Sequence, residues 1–197
     1  LDLGDYNAQG LGIALTGPIN DRSQFRVSAK QYQDNGFVDN VFLNKDDTNN
    51  RDELTLRTKL QWQPADTHDL SLAVGYIDVN NGYDAFSLDS NRQTRSDEPG
   101  RDKQKTRYAS LAWDWEAAET FDLKLQAGYN RAKSDYGYDE DWTFSGFHPF
   151  GYTSTDRYRR ERDSTNFEIR LVSNPSGALL NGSTDWTLGS YALRQRV

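Results

Sequence analysis

Cysteine and methionine are both absent from the sequence, and histidine occurs only twice, at His68 and His148. That removes disulfide scaffolds, thiol chemistry and Cys/His metal sites at ligand spacing. No run approaches the roughly 18 apolar residues of a membrane-spanning helix, and the mean hydropathy is −0.91. Positive charge is not in excess either. The formal net charge is −7 and the basic residues are interspersed with acidic ones, so a phosphate-binding face for nucleic acid is not expected. The chain opens on Leu1 with no charged segment followed by an apolar one, so no secretion signal is visible and an internal piece of a longer protein is expected. No catalytic constellation, cofactor motif or metal-ligand set stands out, so an enzyme is not expected. The run Asp46-Asp47-Thr48-Asn49-Asn50-Arg51-Asp52 has the acidity of a calcium loop, but Arg51 stands where an oxygen ligand is needed and the turn glycine is missing. It reads as a solvated loop.

What the sequence does have is alternation. From Glu53 to Trp62, Leu54, Leu56, Thr58, Leu60 and Trp62 fall on one face, with Glu53, Thr55, Arg57, Lys59 and Gln61 on the other. A period of two is a strand between two unlike environments. The pattern recurs. Leu1 to Gly17 carries apolar residues at odd positions and small ones at even positions; Phe25, Val27 and Ala29 oppose Arg26, Ser28 and Lys30. Leu70, Leu72, Val74 and Tyr76 form another apolar face, as do Ala109, Leu111, Trp113 and Trp115. Phe121, Leu123, Leu125, Ala127 and Tyr129 oppose Asp122, Lys124, Gln126, Gly128 and Asn130; Phe167, Ile169 and Leu171 oppose Asn166, Glu168 and Arg170. An eighth strand, Trp186 to about Gln195, alternates too poorly to assign its faces.

The links between these strands differ in length. Turns after the first, third, fifth and seventh strands are short. Aperiodic polar stretches, 34–52, 80–104 and about 133–163, follow the second, fourth and sixth. All short links then lie at one end of an antiparallel sheet, the arrangement of short periplasmic turns and long extracellular loops in a transmembrane β-barrel. Aromatic residues mark the two membrane borders: Phe25, Trp62, Trp113, Trp115, Phe121 and Trp186 near the short turns, Tyr76 and Tyr129 at the far ends of their apolar faces. Eight steps from Phe121 to Tyr129 at roughly 3.3 Å, tilted by about 40°, give roughly 20 Å of height, close to the apolar band of such barrels. Rival arrangements are a soluble β-sandwich binding module and a self-contained eight-stranded barrel.

Several segments resemble one family. Tyr6-Asn7, Leu15-Thr16-Gly17-Pro18, Phe25-Arg26-Val27-Ser28 and Asp34-Asn35-Gly36-Phe37-Val38-Asp39-Asn40 are similar to the first part of the barrel of TonB-dependent outer-membrane receptors. So are Leu56-Arg57-Thr58-Lys59-Leu60-Gln61-Trp62-Gln63-Pro64, the run from Asn166 to Ser173, and Trp186-Thr187-Leu188-Gly189. The resemblance covers essentially the whole chain and rests on the order and spacing of the motifs together. It implies about eight consecutive strands of a 22-stranded barrel, with residues 1–197 part of one barrel domain. The plug domain, the TonB-contacting segment and the remaining strands would lie outside them. It further implies location in the Gram-negative outer membrane, contact with lipid, and uptake of a scarce nutrient, with a ferric siderophore or other iron complex as the default cargo.

Within that frame the stretch 133–163 is the candidate ligand site. Tyr136, Tyr138, Trp142, Phe144, Phe147, Phe150 and Tyr152 precede the cluster Arg157, Arg159, Arg160 and Arg162. Aromatic surfaces beside guanidinium groups suit an anionic, partly aromatic ligand. Equally, the aromatics can pack the loop while the arginines pair with Asp156, Glu161 and Asp163. Lumen-side Arg57, Lys59, Lys124, Glu168 and Arg170 read as an interstrand charge ladder or as plug contacts.

Overall fold

A computed structural model describes residues 1–46 and 48–197; Asp47, in the acidic run, lies outside the described residues. Alternating sequence becomes one antiparallel sheet. Its strands are β1 (Asp2–Leu3), β2 (Gln9–Asn20), β3 (Ser23–Asp34), β5 (Arg51–Trp62), β6 (His68–Tyr83), β8 (Gly100–Trp115), β9 (Phe121–Asp139), β10 (Thr155–Ser173) and β11 (Thr187–Arg196), paired in that order. Two short segments, β4 (Asp39–Asn40) and β7 (Gln93–Thr94), pair in parallel with each other in the loops. The large sheet is open. No pairing joins β11 to β1 or β2 among the described residues, so this stretch does not form the closed eight-stranded barrel.

The register keeps each expected face intact. Phe25 pairs with Leu60, Leu72 with Leu111, Leu111 with Ala127 and Phe167 with Ala127, so the apolar residues of successive strands form one continuous surface. That surface has no cover. Ile13 is 69% exposed, and the only buried hydrophobic residues described are Val38 and Ala73. A soluble domain of this size would bury its apolar face against a second layer, whereas here the layer is single. The β11 faces, unassigned from sequence, follow from its register with β10. Leu188 shares the apolar side with Leu171, while Tyr191 and Leu193 sit on the polar side opposite Glu168 and Asn166.

Four boundaries differ from the sequence reading. The first strand is interrupted at 4–8, where Tyr6 and Asn7 adopt φ of 61° and 55°, left-handed values that no strand tolerates. Strands run on into the stretches 80–104 and 133–163: β6 continues to Tyr83, β8 starts at Gly100, β9 reaches Asp139 and β10 begins at Thr155. Charged and polar residues continue the ladder there because cross-strand ion pairs and backbone hydrogen bonds need no apolar face. The 34–52 loop likewise closes early, at Arg51. Finally, the link after β10 (174–186) is not a short turn. Asn174 Oδ1 accepts from the Ser176 and Gly177 amides, and the Trp186 indole donates to the Gly177 carbonyl at 2.9 Å, so it folds into a stapled turn.

The upper ladder is tight. A Cβ on Gly100 would collide with the Gly137 carbonyl and the Tyr138 backbone of the neighbouring strand, and backbone cannot swing aside as a side chain can. Gly100→Ala is therefore expected to part β8 from β9 at this rung and destabilise the extended end by roughly 1–3 kcal/mol. Faster proteolysis within 84–99 and 140–154, with the apolar part of the sheet intact, is the readout.

Candidate functional site

The structure divides the candidate ligand residues between two faces. On the polar face, Tyr136 and Tyr138 of β9 meet two residues that the sequence did not single out, Tyr83 and Phe86. Tyr83 lies 5.1 Å from Tyr136 between ring centroids, and Phe86 lies 5.6 Å from Tyr138. Trp142 stacks on Phe86 at 4.8 Å, nearly parallel at 3°. It does so at φ 63°, a left-handed conformation costing roughly 1–2 kcal/mol for a residue with a Cβ. The preceding Asx turn, in which Asp141 Oδ1 accepts from the Thr143 amide at 2.9 Å, offsets part of that cost. The neighbouring Tyr83 hydroxyl, and after it burial, push the Tyr136 hydroxyl well above its ordinary range, so it stays neutral.

Arg157 and Arg159 are not part of this cluster. They alternate with Tyr158 on β10 and fall on the opposite, outward side, where both engage Asp135; the Arg157 Nε donates to Asp135 Oδ1 at 2.7 Å and the Arg159 Nε lies 3.7 Å from Asp135 Oδ2. The Arg157 hydrogen bonds hold the Asp135 carboxyl down to about 2. The guanidinium that does accompany the aromatics is Arg160, 5.4 Å above the Tyr158 ring on the polar side. Phe144 stacks on Phe42 at 4.3 Å and Phe147 packs edge-on to Phe144 at 5.5 Å, so these two join the loops together. Phe150, 97% exposed, and Tyr152 project from the tip of 140–154.

Beneath the tips the three long loops are knitted by buried polar groups. Asp84 accepts from Asn40 Nδ2 at 2.9 Å, Thr94 Oγ1 at 2.8 Å and Thr48 Oγ1 at 2.5 Å, and Asn40 also donates to the Ser96 carbonyl at 2.8 Å. The Asp97 amide donates to the Thr143 carbonyl, and Asp97 Oδ2 accepts from the Ser145 amide. The result is one cap over the polar side of the sheet, built from residues far apart in sequence.

No protein-family model and no curated protein matches the sequence. Solved structures do. The ferric yersiniabactin uptake receptor FyuA from Yersinia pestis superposes with a TM-score of 0.75 at 14% identity, over 98% of this chain and 29% of that one. The ferric-catecholate import receptor Fiu from E. coli K12, in its closed form, gives 0.68 at 13% identity over 98% and 30%. For FpvA of P. aeruginosa, solved with a heterologous pyoverdine and iron, the values are 0.67, 15%, 98% and 26%. The chain has the fold of part of a siderophore receptor. It spans under a third of those receptors' length. Short-motif resemblance to TonB-dependent receptors and likeness in fold thus point the same way, and each of the proteins just named is a receptor.

Within the loop cap, one acid is out of balance. Asp139 ends β9 with its Oδ2 buried and without a hydrogen-bond partner. Burial, with Asp141 and Asp97 close by, pushes its carboxyl up to about 6. Because the folded value lies above the unfolded one, the folded cap binds more protons between about pH 4 and 6, and its stability falls as pH rises through that window. Amide exchange in 84–99 and 140–154 is expected to be slower at pH 5 than at pH 7.5, after correction for intrinsic rates; Asp139→Asn should flatten the difference.

At the other end, His68 is not a free surface residue. It stacks against Trp113 and Trp115, at 5.7 and 5.4 Å, and its Nδ1 accepts from the Trp113 indole at 3.1 Å. The two tryptophans are themselves parallel at 5.7 Å. Trp62, Phe25 and Phe121 occupy the same apolar side, Trp186 packs 6.4 Å from Phe121, and Tyr76 and Tyr129 close the apolar face at its far end. Of the polar-face charges, Lys124 pairs across the strands with Asp114 at 3.3 Å, as an interstrand ladder would, whereas Arg170 pairs at 2.9 Å with Glu168 of its own strand and stands opposite Lys124. Arg57 and Lys59 have no ion pair among the described residues; Lys59 stands directly opposite Arg26.

Proposed function

We propose that this chain is a length of barrel wall from a TonB-dependent receptor of the Gram-negative outer membrane, which takes up a scarce nutrient, with a ferric siderophore or another iron complex as cargo. The observation that carries this reading is a single antiparallel sheet whose apolar face no second layer covers, in the fold of ferric siderophore receptors over 98% of its length. In water so large an apolar face is a liability; in lipid it is what the surroundings require. The open edges at β2 and β11 support the same reading, since unpaired backbone in lipid costs several kcal/mol per group and calls for neighbouring strands. Those strands, the plug and the TonB contact are supplied, in this reading, by further sequence of the same protein. Arg26, Lys30, Arg57 and Lys59 on the polar face would then meet acids of the plug.

The aromatic cap is the proposed ligand site: Tyr136, Tyr138 and Trp142 as its floor, Phe150 and Tyr152 as its rim, Arg160 as the cation. The test is uptake. A strain lacking the gene is expected to lose accumulation of at least one radiolabelled ferric siderophore, restored by the intact gene. Unchanged accumulation across hydroxamate, catecholate and mixed siderophores would remove the iron assignment. Folding of the intact protein in water, without the heat-modifiable migration of a barrel in detergent, would remove the membrane assignment itself.

A further inference from the structure

Past the Tyr76 and Tyr129 ends of the apolar face, the same outward side turns basic. The outward positions of β8 continue from Ala109 as Arg107, Lys105, Lys103 and Arg101; those of β9 continue from Tyr129 as Arg131 and Lys133. The register sets Arg107 directly opposite Arg131, and Lys105 directly opposite Lys133. Like charges facing each other across a ladder are destabilising, and here two successive outward pairs break the rule. Their compensation is one-sided. Glu161 of β10 bonds Arg131 and lies 3.0 Å from Lys133, and Asp163 is 3.6 Å from Arg131, so the β9 cations are partnered. On β8, Lys105 lies 3.4 Å from Asp78, and Lys103 faces Asp135, an acid already held by Arg157 and Arg159; Arg107 stands over the Tyr76 ring, and neither it nor Arg101 has an ion pair among the described residues. A surplus of positive charge thus runs along β8 in a chain whose net charge is −7.

Position is the second observation. Arg107 is two residues beyond Ala109, roughly 7 Å along the strand from the end of the apolar face. Cations there sit at the depth of lipid headgroups, where each is attracted to anionic lipid. A shallow depression between β8, β9 and β10 opens at this level; Lys103, Lys105, Lys133 and Arg159 border it, with Asp135 and Glu161 on the same rim as the acids that hold Arg159 and Lys133.

We propose that this outward patch, with Arg107, Lys105 and Lys133 as its contacts, binds the phosphate of a phosphorylated lipid in the leaflet on the long-loop side. The inference rests on the barrel reading above. A phosphate between the strands accepts charge-assisted hydrogen bonds from both members of a like-charge pair and so relieves the repulsion between them. Free phosphate offers the same group. A lipid adds acyl chains that lie along Leu111, Ala109 and Tyr129, directly below the patch.

The experiment uses the intact protein folded in detergent, titrated with bisphosphorylated lipid A, with lipid A stripped of both phosphates, and with inorganic phosphate. Wild type is expected to bind the phosphorylated lipid at least 10-fold more tightly than the stripped one. The triple variant R107Q/K105Q/K133Q should lose most of that preference and keep heat-modifiable migration, since the ion pairs to Asp78 and Glu161 and the Tyr76 contact that it gives up are surface ones and the like-charge repulsion goes with them. Equal binding of both lipids by wild type, or an unchanged preference in the folded variant, would overturn the proposal. So would inorganic phosphate competing at equal concentration, which would place the ligand in solution. A protein that folds in water instead would fail the barrel reading first, and is recognised by its migration before any lipid is added.

Discussion

Leu125→Arg is expected to cost the intact, membrane-inserted protein about 2–4 kcal/mol, while Gln126→Arg, one residue along, is expected to be close to neutral. Leu125 sits midway between Phe121 and Tyr129 on the apolar face, where a guanidinium would lie near the centre of the hydrocarbon, and charged groups there carry a penalty of that size. Gln126 points to the polar face. Its cross-strand partner is Glu168, so an arginine at 126 gains an opposite charge at the distance where such pairs stabilise a ladder. The measurement is the fraction of heat-modifiable, folded protein against urea in detergent or lipid vesicles. A soluble sheet hiding its apolar face against protein would also suffer from Leu125→Arg, but it would show no dependence on depth. Moving the arginine to Tyr129, at the border, separates the two, because the lipid penalty falls towards zero at the interface whereas a protein core would resent the change equally.

That contrast between adjacent residues was legible before any coordinates, because a strand's faces follow from parity alone. What parity could not show was where strands stop. The segments 133–139 and 155–163 carry no apolar face, so their alternation is one of charge: Arg131, Lys133 and Asp135 against Asp163, Glu161 and Arg159. Those two sets are cross-strand partners in the structure. Read as pairs they form acid–base ladders, and read singly they look like loop. Residue type alone marks the candidate ligand residues, but the division between Tyr136 and Arg157 onto opposite faces needs the parity of a strand, which a loop does not have. Tyr83 and Phe86 escaped notice for another reason. Their contacts reach Tyr136, Tyr138 and Trp142 across two strands, and no local signal encodes a pairing at that separation. His68 shows the same limit at the opposite end, where a turn residue becomes one layer of an aromatic stack.

Phe150→Ala is expected to weaken binding of the cognate iron complex by about 10- to 30-fold and leave the folded protein's stability unchanged. The residue is 97% exposed with no aromatic neighbour, so its removal leaves no cavity and breaks no contact within the chain. Whatever its ring gains, it gains from a ligand, and covering a fully exposed aromatic ring with one is worth about 1.4–2 kcal/mol. Trp142→Ala supplies the contrast. It removes the stack on Phe86 and relaxes a left-handed residue only to alanine, which tolerates that conformation no better. Loss of affinity in that variant is therefore accompanied by faster amide exchange across 84–99 and 140–154. Isothermal titration with the siderophore identified by uptake, set beside exchange rates, reads both effects. If Phe150→Ala binds as wild type while Trp142→Ala loses only protection, the aromatics serve to hold the cap together and the ligand site must be sought deeper, among the charges of the polar wall.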